Sequence, residues 1–249
     1  MINLDGKIIF KNKYKYIKIT RNQLLILDAL LYDGGFKKKY IDRNKKIRYS
    51  EHEGWFRSKN SYIDKIIINA NITREDYDDD DILFPQIALD SYQYEYIFHT
   101  HPPTPTIGGR VNDGILYEFP SINDILYFID HYNMNITKGS IVITSEGYYI
   151  ISVKQDTNKL IYDDEIINII FKKLNKSLIS IQRKAITKYG TSFSDEIFYS
   201  TIAKDKKYLK MYNFIINKYL NNNIKITLKT RDKDILTNKW LLKSLYIKI

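Results

Sequence analysis

Two hydrophobic rhythms run along the chain. Residues 7–19 set Ile9, Tyr14, Tyr16, Ile17 and Ile19 among basic neighbours, close to period two, which predicts one or two short strands. Thr20 has the side chain of a helix N-cap. Leu24, Leu25, Leu27, Leu30 and Leu31 follow at helical spacing, and Gly34-Gly35 ends that helix. After a basic connector from Lys37 to Arg48, Tyr49–Phe56 and Ile63–Asn69 read as strands, and Tyr94–Phe98 as a third. Ser121 is a second candidate N-cap, with Ile125, Leu126, Phe128 and Ile129 forming the apolar side of a helix to about His131. Ser140–Thr144 and Tyr148–Val153 flank Ser145-Glu146-Gly147 as a hairpin. Beyond Asp163 the period lengthens. Ile166–Lys188 predicts one long helix, and Asp195–Leu220 a second through Phe198, Ile202, Leu209, Tyr212, Ile216 and Tyr219. Ile224–Ile249 fits either a strand or a short helix. The pattern divides the chain into a mixed α/β region over 1–158 and a mainly helical region over 159–249, with no internal repeat.

Composition narrows the classes of function. The 249 residues include no cysteine, which excludes disulfides, thiolate-ligated zinc, iron–sulfur clusters and cysteine nucleophiles. No apolar run reaches the roughly 20 residues that span a bilayer, and Met1–Lys7 has no signal core, so the expectation is a cytoplasmic protein without a membrane partner. The net charge of +10 raises the question of nucleic acid. Its distribution weakens that reading. Residues 1–50 carry 13 Lys+Arg against 4 Asp+Glu, residues 51–150 carry 6 against 16, and residues 151–249 carry 20 against 9. Heavy use of Ile, Asn, Lys and Tyr is what AT-rich coding produces, as in a large virus or a protist. Solvated lysines therefore explain the basic flanks better than a nucleic-acid footprint, and no phosphate-binding or nucleic-acid signature is present.

The chemistry concentrates in the histidines, of which there are four: His52, His99, His101 and His131. His99 and His101 sit two apart at the end of an expected strand, where alternation points both rings to one side, as two ligands of one metal require. Pro102 follows. Ser121 and Asp124 stand three apart at a helix start, and Glu51-His52-Glu53-Gly54 lies upstream on another strand. This order, Glu … His-x-His-Pro … Ser-x-x-Asp, resembles the JAMM (JAB1/MPN/Mov34, MPN-plus) metalloprotease family over about residues 20–155.

The resemblance implies an α+β fold: a mixed, curved β-sheet flanked by helices, cytidine-deaminase-like, here with a helical C-terminal extension. It implies Zn2+ held by His99, His101 and Asp124, with a fourth position for water. It implies Glu51 as the general base and Ser121 as a hydrogen-bond donor to the oxyanion. Glu53 shares the strand face of Glu51 and competes for the base role; the Glu-x-x-Gly spacing favours Glu51. The implied activity is an isopeptidase or peptidase acting on ubiquitin or a ubiquitin-like protein. The Thr73–Asp81 acidic run and the Pro102–Pro120 loop are candidate substrate contacts. The chain departs from the family pattern in two places. Nineteen residues separate His101 from Ser121, and Trp55-Phe56-Arg57-Ser58 follows the glutamate motif in place of an apolar run to a second glycine. Metallo-β-lactamase, amidohydrolase and zincin patterns each lack a required histidine. The rival expectations are a scaffold of the same fold without turnover, and a basic nucleic-acid-binding structural protein.

Overall fold

The computed structural model describes residues 16–34, 39–41, 45, 47–49, 51–68, 95–102, 111, 114–154, 164–220 and 223–248. In chain order the elements are β1 (Tyr16–Ile19), α1 (Arg21–Tyr32), β2 (Lys39–Ile41), β3 (Ile47–Tyr49), β4 (Glu53–Lys59), β5 (Tyr62–Ile68), β6 (Tyr96–Thr100), α2 (Ile122–Asn133), β7 (Gly139–Ile143), β8 (Gly147–Val153) and α3 (Asp164–Tyr189). They continue with α4 (Asp195–Ile197), which runs into a widened π turn (Phe198–Ile202), then α5 (Lys206–Tyr219), β9 (Ile224–Thr230), β10 (Asp232–Lys233), β11 (Trp240–Leu241) and β12 (Leu245–Lys248). Eight strands form one mixed sheet in the order β12-β1-β5-β4-β6-β7-β8-β9, so the chain belongs to the mixed α/β class. The acidic run at 73–81, loop residues 103–110, 112 and 113, and the part of the first expected strand before residue 16 lie outside the described residues.

Both predicted caps form. Thr20 accepts from Gln23 N–H while the Gln23 side chain accepts from Thr20 N–H, and Ser121 and Asp124 make the same reciprocal pair at α2. Each pair satisfies two amide donors that a helix start leaves open. α1 buries Leu24, Leu27 and Leu31, each contributing about 2 kcal/mol of apolar burial. They pack with Ile17, Phe56, Phe98, Ile141, Ile143, Tyr148 and Ile150 on one face of the sheet. The opposite face carries Val142, Tyr149 and Ile151 against α2, α3 and α5, through Phe128, Leu174, Ile181, Tyr212 and Ile216. Alternation along β7 and β8 thus feeds two cores, one per face.

Three expectations change. The Tyr49–Phe56 strand breaks: β3 pairs with β2 in a separate hairpin, and β4 starts at Glu53. Between them His52 stays alongside β6, its carbonyl accepting from Thr100 N–H (2.8 Å), but its own N–H turns to the Thr100 hydroxyl (2.8 Å). The second C-terminal helix divides at Asp205, whose extended backbone and side-chain acceptance from Lys207 N–H start α5 afresh. Before it, Ala203 N–H reaches back five residues to Phe198 O. The region expected to be mainly helical also supplies β9 to β12. Ile224 and Ile226 bury alternate positions against β8, and β12 pairs with β1, so residues beyond 158 form both outer strands of the sheet.

Candidate metal centre

The parallel pairing of β6 with β7 and the antiparallel pairing with β4 fix where the histidines point. Phe98 and Tyr96 enter the α1-side core, so His99 faces the α2 side, in register with Val142. His101 follows the strand end, its N–H bonded to Ile143 O (2.8 Å), and keeps the same side. α2 approaches from that side with Asp124 in its first turn. His99, His101 and Asp124 are 1%, 8% and 1% exposed, which places all three in the interior.

Their donor atoms converge. The Nε2 atoms of His99 and His101 lie 3.1 Å apart, His99 Nε2 lies 3.3 Å from Asp124 Oδ1, and His101 Nε2 lies 3.3 Å from Asp124 Oδ2. Asp124 Oδ2 accepts from Ser121 N–H, whereas Oδ1 is buried and accepts no hydrogen bond. With only the His99 ring beside it, at 3.3 Å, this buried oxygen is poorly satisfied, and a cation would complete it. Burial works against the charged form of His101, but Asp124 first, and then Glu51 and Glu118, outweigh it and push its pKa up to about 9. Burial would likewise raise Asp124; the two imidazoles outweigh it and hold the carboxyl well below the usual carboxylate range. Two nitrogen donors and one carboxylate, buried and within 4.8 Å of one another, can hold a metal ion.

Register carries Glu53 opposite His99, and Glu51 lies two residues before β4, on the side of the strand end that leads to His101. Glu51 is half-buried, its Oε2 is shielded and accepts no hydrogen bond, and its charge is felt at His101. Glu53 is buried and its charge is felt at Tyr127 of α2. Ser121 caps α2 through Oγ, which accepts from Asp124 N–H (3.1 Å). The other two histidines lie elsewhere. His52 Nε2 is 3.1 Å from Asp33 Oδ2, and His131 Nδ1 is 3.0 Å from Tyr127 O with its ring against that tyrosine.

Glu118 is a group that motif spacing gives no reason to select. It is buried and adds to the field at His101. Its N–H donates to Glu146 Oε1 (2.7 Å), which also accepts from Tyr149 OH (2.7 Å). In the sequence Glu118 stands out only as an acid among Leu116, Tyr117 and Phe119, while Glu146 reads as an ordinary residue of the Ser145-Glu146-Gly147 turn.

No family model and no solved structure matches the chain. It is similar to uncharacterized protein R413 of Acanthamoeba polyphaga mimivirus, with 35% identity over 258 aligned residues that cover 99% of this chain and 70% of the mimivirus protein. Among the described residues no helix is long and apolar enough to cross a membrane. An identity of 35% over an alignment that covers 99% of the chain means that the chain belongs to the same family as mimivirus protein R413.

Proposed function

We propose that the protein is a zinc-dependent isopeptidase or peptidase of JAMM type, a viral protein that removes ubiquitin or a ubiquitin-like protein from lysine side chains inside the host cell. The observation that carries this reading is the donor triangle. Tetrahedral zinc with bonds of about 2.0–2.1 Å sets neighbouring donors roughly 3.3–3.4 Å apart. The 3.1 Å between the two imidazole Nε2 atoms, and the 3.3 Å from His99 to Asp124 Oδ1 and from His101 to Asp124 Oδ2, are close to that figure. The donor set, N2O with no thiolate, is that of hydrolytic rather than purely structural zinc.

His99 and His101 would hold the ion through Nε2, and Asp124 through Oδ1, the oxygen its capping box does not use. Zinc bound there supplies Lewis-acid chemistry, polarising a carbonyl and lowering the pKa of water to about 7. Glu51, whose charge is felt at His101 and whose shielded Oε2 accepts no hydrogen bond, takes a proton from the attacking water and returns it to the departing amine. The Ser121 hydroxyl accepts from Asp124 N–H and so keeps its own proton to donate to the substrate carbonyl oxygen as negative charge develops. Net, one amide C–N bond and one water become a carboxylate and an amine.

The test is metal content of the purified protein beside cleavage of a panel of ubiquitin and ubiquitin-like conjugates. Stoichiometric zinc and cleavage are expected, with Glu51→Gln keeping the metal and losing turnover by at least about 100-fold. Purified protein that takes up no zinc sinks the reading. Zinc without cleavage leaves a metal-stabilised scaffold, and full turnover by Glu51→Gln rejects the base assignment.

A further inference from the structure

Residues 116–120 lead directly into the Ser121 cap, and they belong to no helix or strand. They are nevertheless buried: Leu116, Tyr117, Glu118 and Phe119 all lie in the interior. Irregular backbone in the interior has no ladder to satisfy its N–H and C=O groups, so side chains or water must do so. Here the partners come from far along the chain. Gln182 of α3 accepts through Oε1 from the N–H groups of Leu116 (3.0 Å) and Tyr117 (3.2 Å), and its Nε2 donates to Tyr117 O (2.6 Å). Tyr212 of α5 donates its hydroxyl to Pro120 O, one residue before the cap. In return the Tyr117 hydroxyl donates to Ile202 O in the π turn (2.8 Å). The rings interlock as well, with Phe119 stacked on Tyr212 at 4.8 Å between centroids.

We propose that α3 and α5 act as a clamp on the Ser121–Asp124 turn, with Gln182 and Tyr212 as positioning residues that set Asp124 Oδ1 against His99 and His101. The proposal rests on the metal-centre reading but not on the identity of the substrate. The geometry gives the clamp leverage. His99 and His101 are fixed by a central strand and its end, whereas Asp124 arrives on a separate helix whose capped start continues directly from the 116–120 segment. A ligand set tolerates errors of only about 0.5 Å, and a slip of one residue along a helix is about 1.5 Å. Pro120 O and the Ser121 cap are adjacent, so the Tyr212 bond acts at the point where a shift would pass most directly to the carboxylate. This gives the helices beyond residue 163 a task at the metal centre, which they themselves do not enter.

The experiment uses the full chain and three variants. Tyr212→Phe removes one hydroxyl and keeps the ring on Phe119. Gln182→Leu removes three hydrogen bonds at once. Tyr208→Phe is the control: its hydroxyl also lies on α5 and donates to Lys184 O (3.3 Å), a bond that does not reach the 116–121 segment. Zinc affinity is measured by competition with a chromophoric chelator, and coordination by the visible absorption of the Co2+-loaded protein, whose band strength reports how nearly tetrahedral the site is. Partners that orient ligands are typically worth 10–100-fold in metal affinity. Tyr212→Phe is expected to weaken zinc binding about 10-fold and to change the Co2+ band, while Tyr208→Phe matches wild type in both. Zinc binding and a Co2+ spectrum unchanged in Tyr212→Phe overturn the clamp, as does an equal loss in Tyr208→Phe, which would mean general loosening of the helices. Should Gln182→Leu fail to fold, Tyr212→Phe decides alone. Wild-type protein that binds no zinc fails the metal-centre reading and the clamp together; zinc-binding wild type with an unaffected Tyr212→Phe fails the clamp only.

Discussion

Glu146→Gln isolates the energetic effect of one enclosed carboxyl. Glu146 is fully buried in the β7–β8 turn. Its Oε1 accepts from Glu118 N–H and Tyr149 OH, and its Oε2 has no hydrogen bond. Burial first, and then the charge of Glu118, push its pKa up from 4.5 to about 7, against the smaller opposing effect of its hydrogen bonds. An acid whose folded pKa is raised contributes its full stability below its unfolded pKa and loses it as pH rises through the folded value. The window is therefore about pH 4.5 to 7, and stability falls across it as pH increases. A rise of about 2.5 units at 1.36 kcal/mol per unit costs on the order of 3 kcal/mol once the group is ionised. Glutamine keeps the acceptor for both donors and never ionises. Urea unfolding of wild type and Glu146→Gln at pH 5 and pH 8 measures the difference, with m unchanged. The variant is expected to gain roughly 2–3 kcal/mol on wild type between the two pH values, whatever its offset at pH 5. Parallel pH profiles would show that Glu146 is not held protonated by the fold, and the account of this turn would be wrong.

Two further outcomes follow from packing and pairing. At Gly54 an added Cβ would stand 1.9 Å from Ile67 O across the β4–β5 ladder and 2.6 Å from the Phe98 ring, so Gly54→Ala should cost more than about 4 kcal/mol and leave little folded protein by circular dichroism; a near-native melting temperature refutes this. Arg231 binds Asp28 bidentately (2.6 and 2.8 Å) and also donates to Ser145 O (2.7 Å) and Thr144 O (3.1 Å), so Arg231→Met should lose about 3–5 kcal/mol in urea unfolding. Most of that loss should return in Arg231→Met/Asp28→Leu, and a double variant no more stable than the single contradicts a cost arising from the unpaired carboxylate.

Gly54 also shows how a position can stand out in the sequence and still leave its physical reason hidden. The Glu-x-x-Gly spacing marks the position, but the Ile67 carbonyl that forbids a side chain comes from the neighbouring strand. The reverse holds at Ser121 and Asp124. Their spacing of three is itself a capping box, and it forms as written, because both partners lie within one helical turn. The His-x-His pair was legible for the same kind of reason: strand alternation alone puts both rings on one side. The break at Asp205 was missed because apolar residues keep helical spacing through the π turn, and periodicity does not register one extra residue in a turn.

Local order along the chain was enough to determine the starts of α1 and α2, the shared face of the two histidines, the hairpin around Glu146 and the set of residue types able to hold a metal. These depend on groups within a few positions of one another, where the backbone geometry leaves few choices. Only the tertiary structure decided that α2 brings Asp124 to within 3.3 Å of both imidazoles, that the charge of Glu51 is felt at His101, and that Gln182 and Tyr212 hold the approach to the cap. Those contacts join residues tens of positions apart, and a hydrogen bond among them contributes about 1 kcal/mol. None is specified by its own neighbours; they form together when burial of the two cores brings strands and helices into one register.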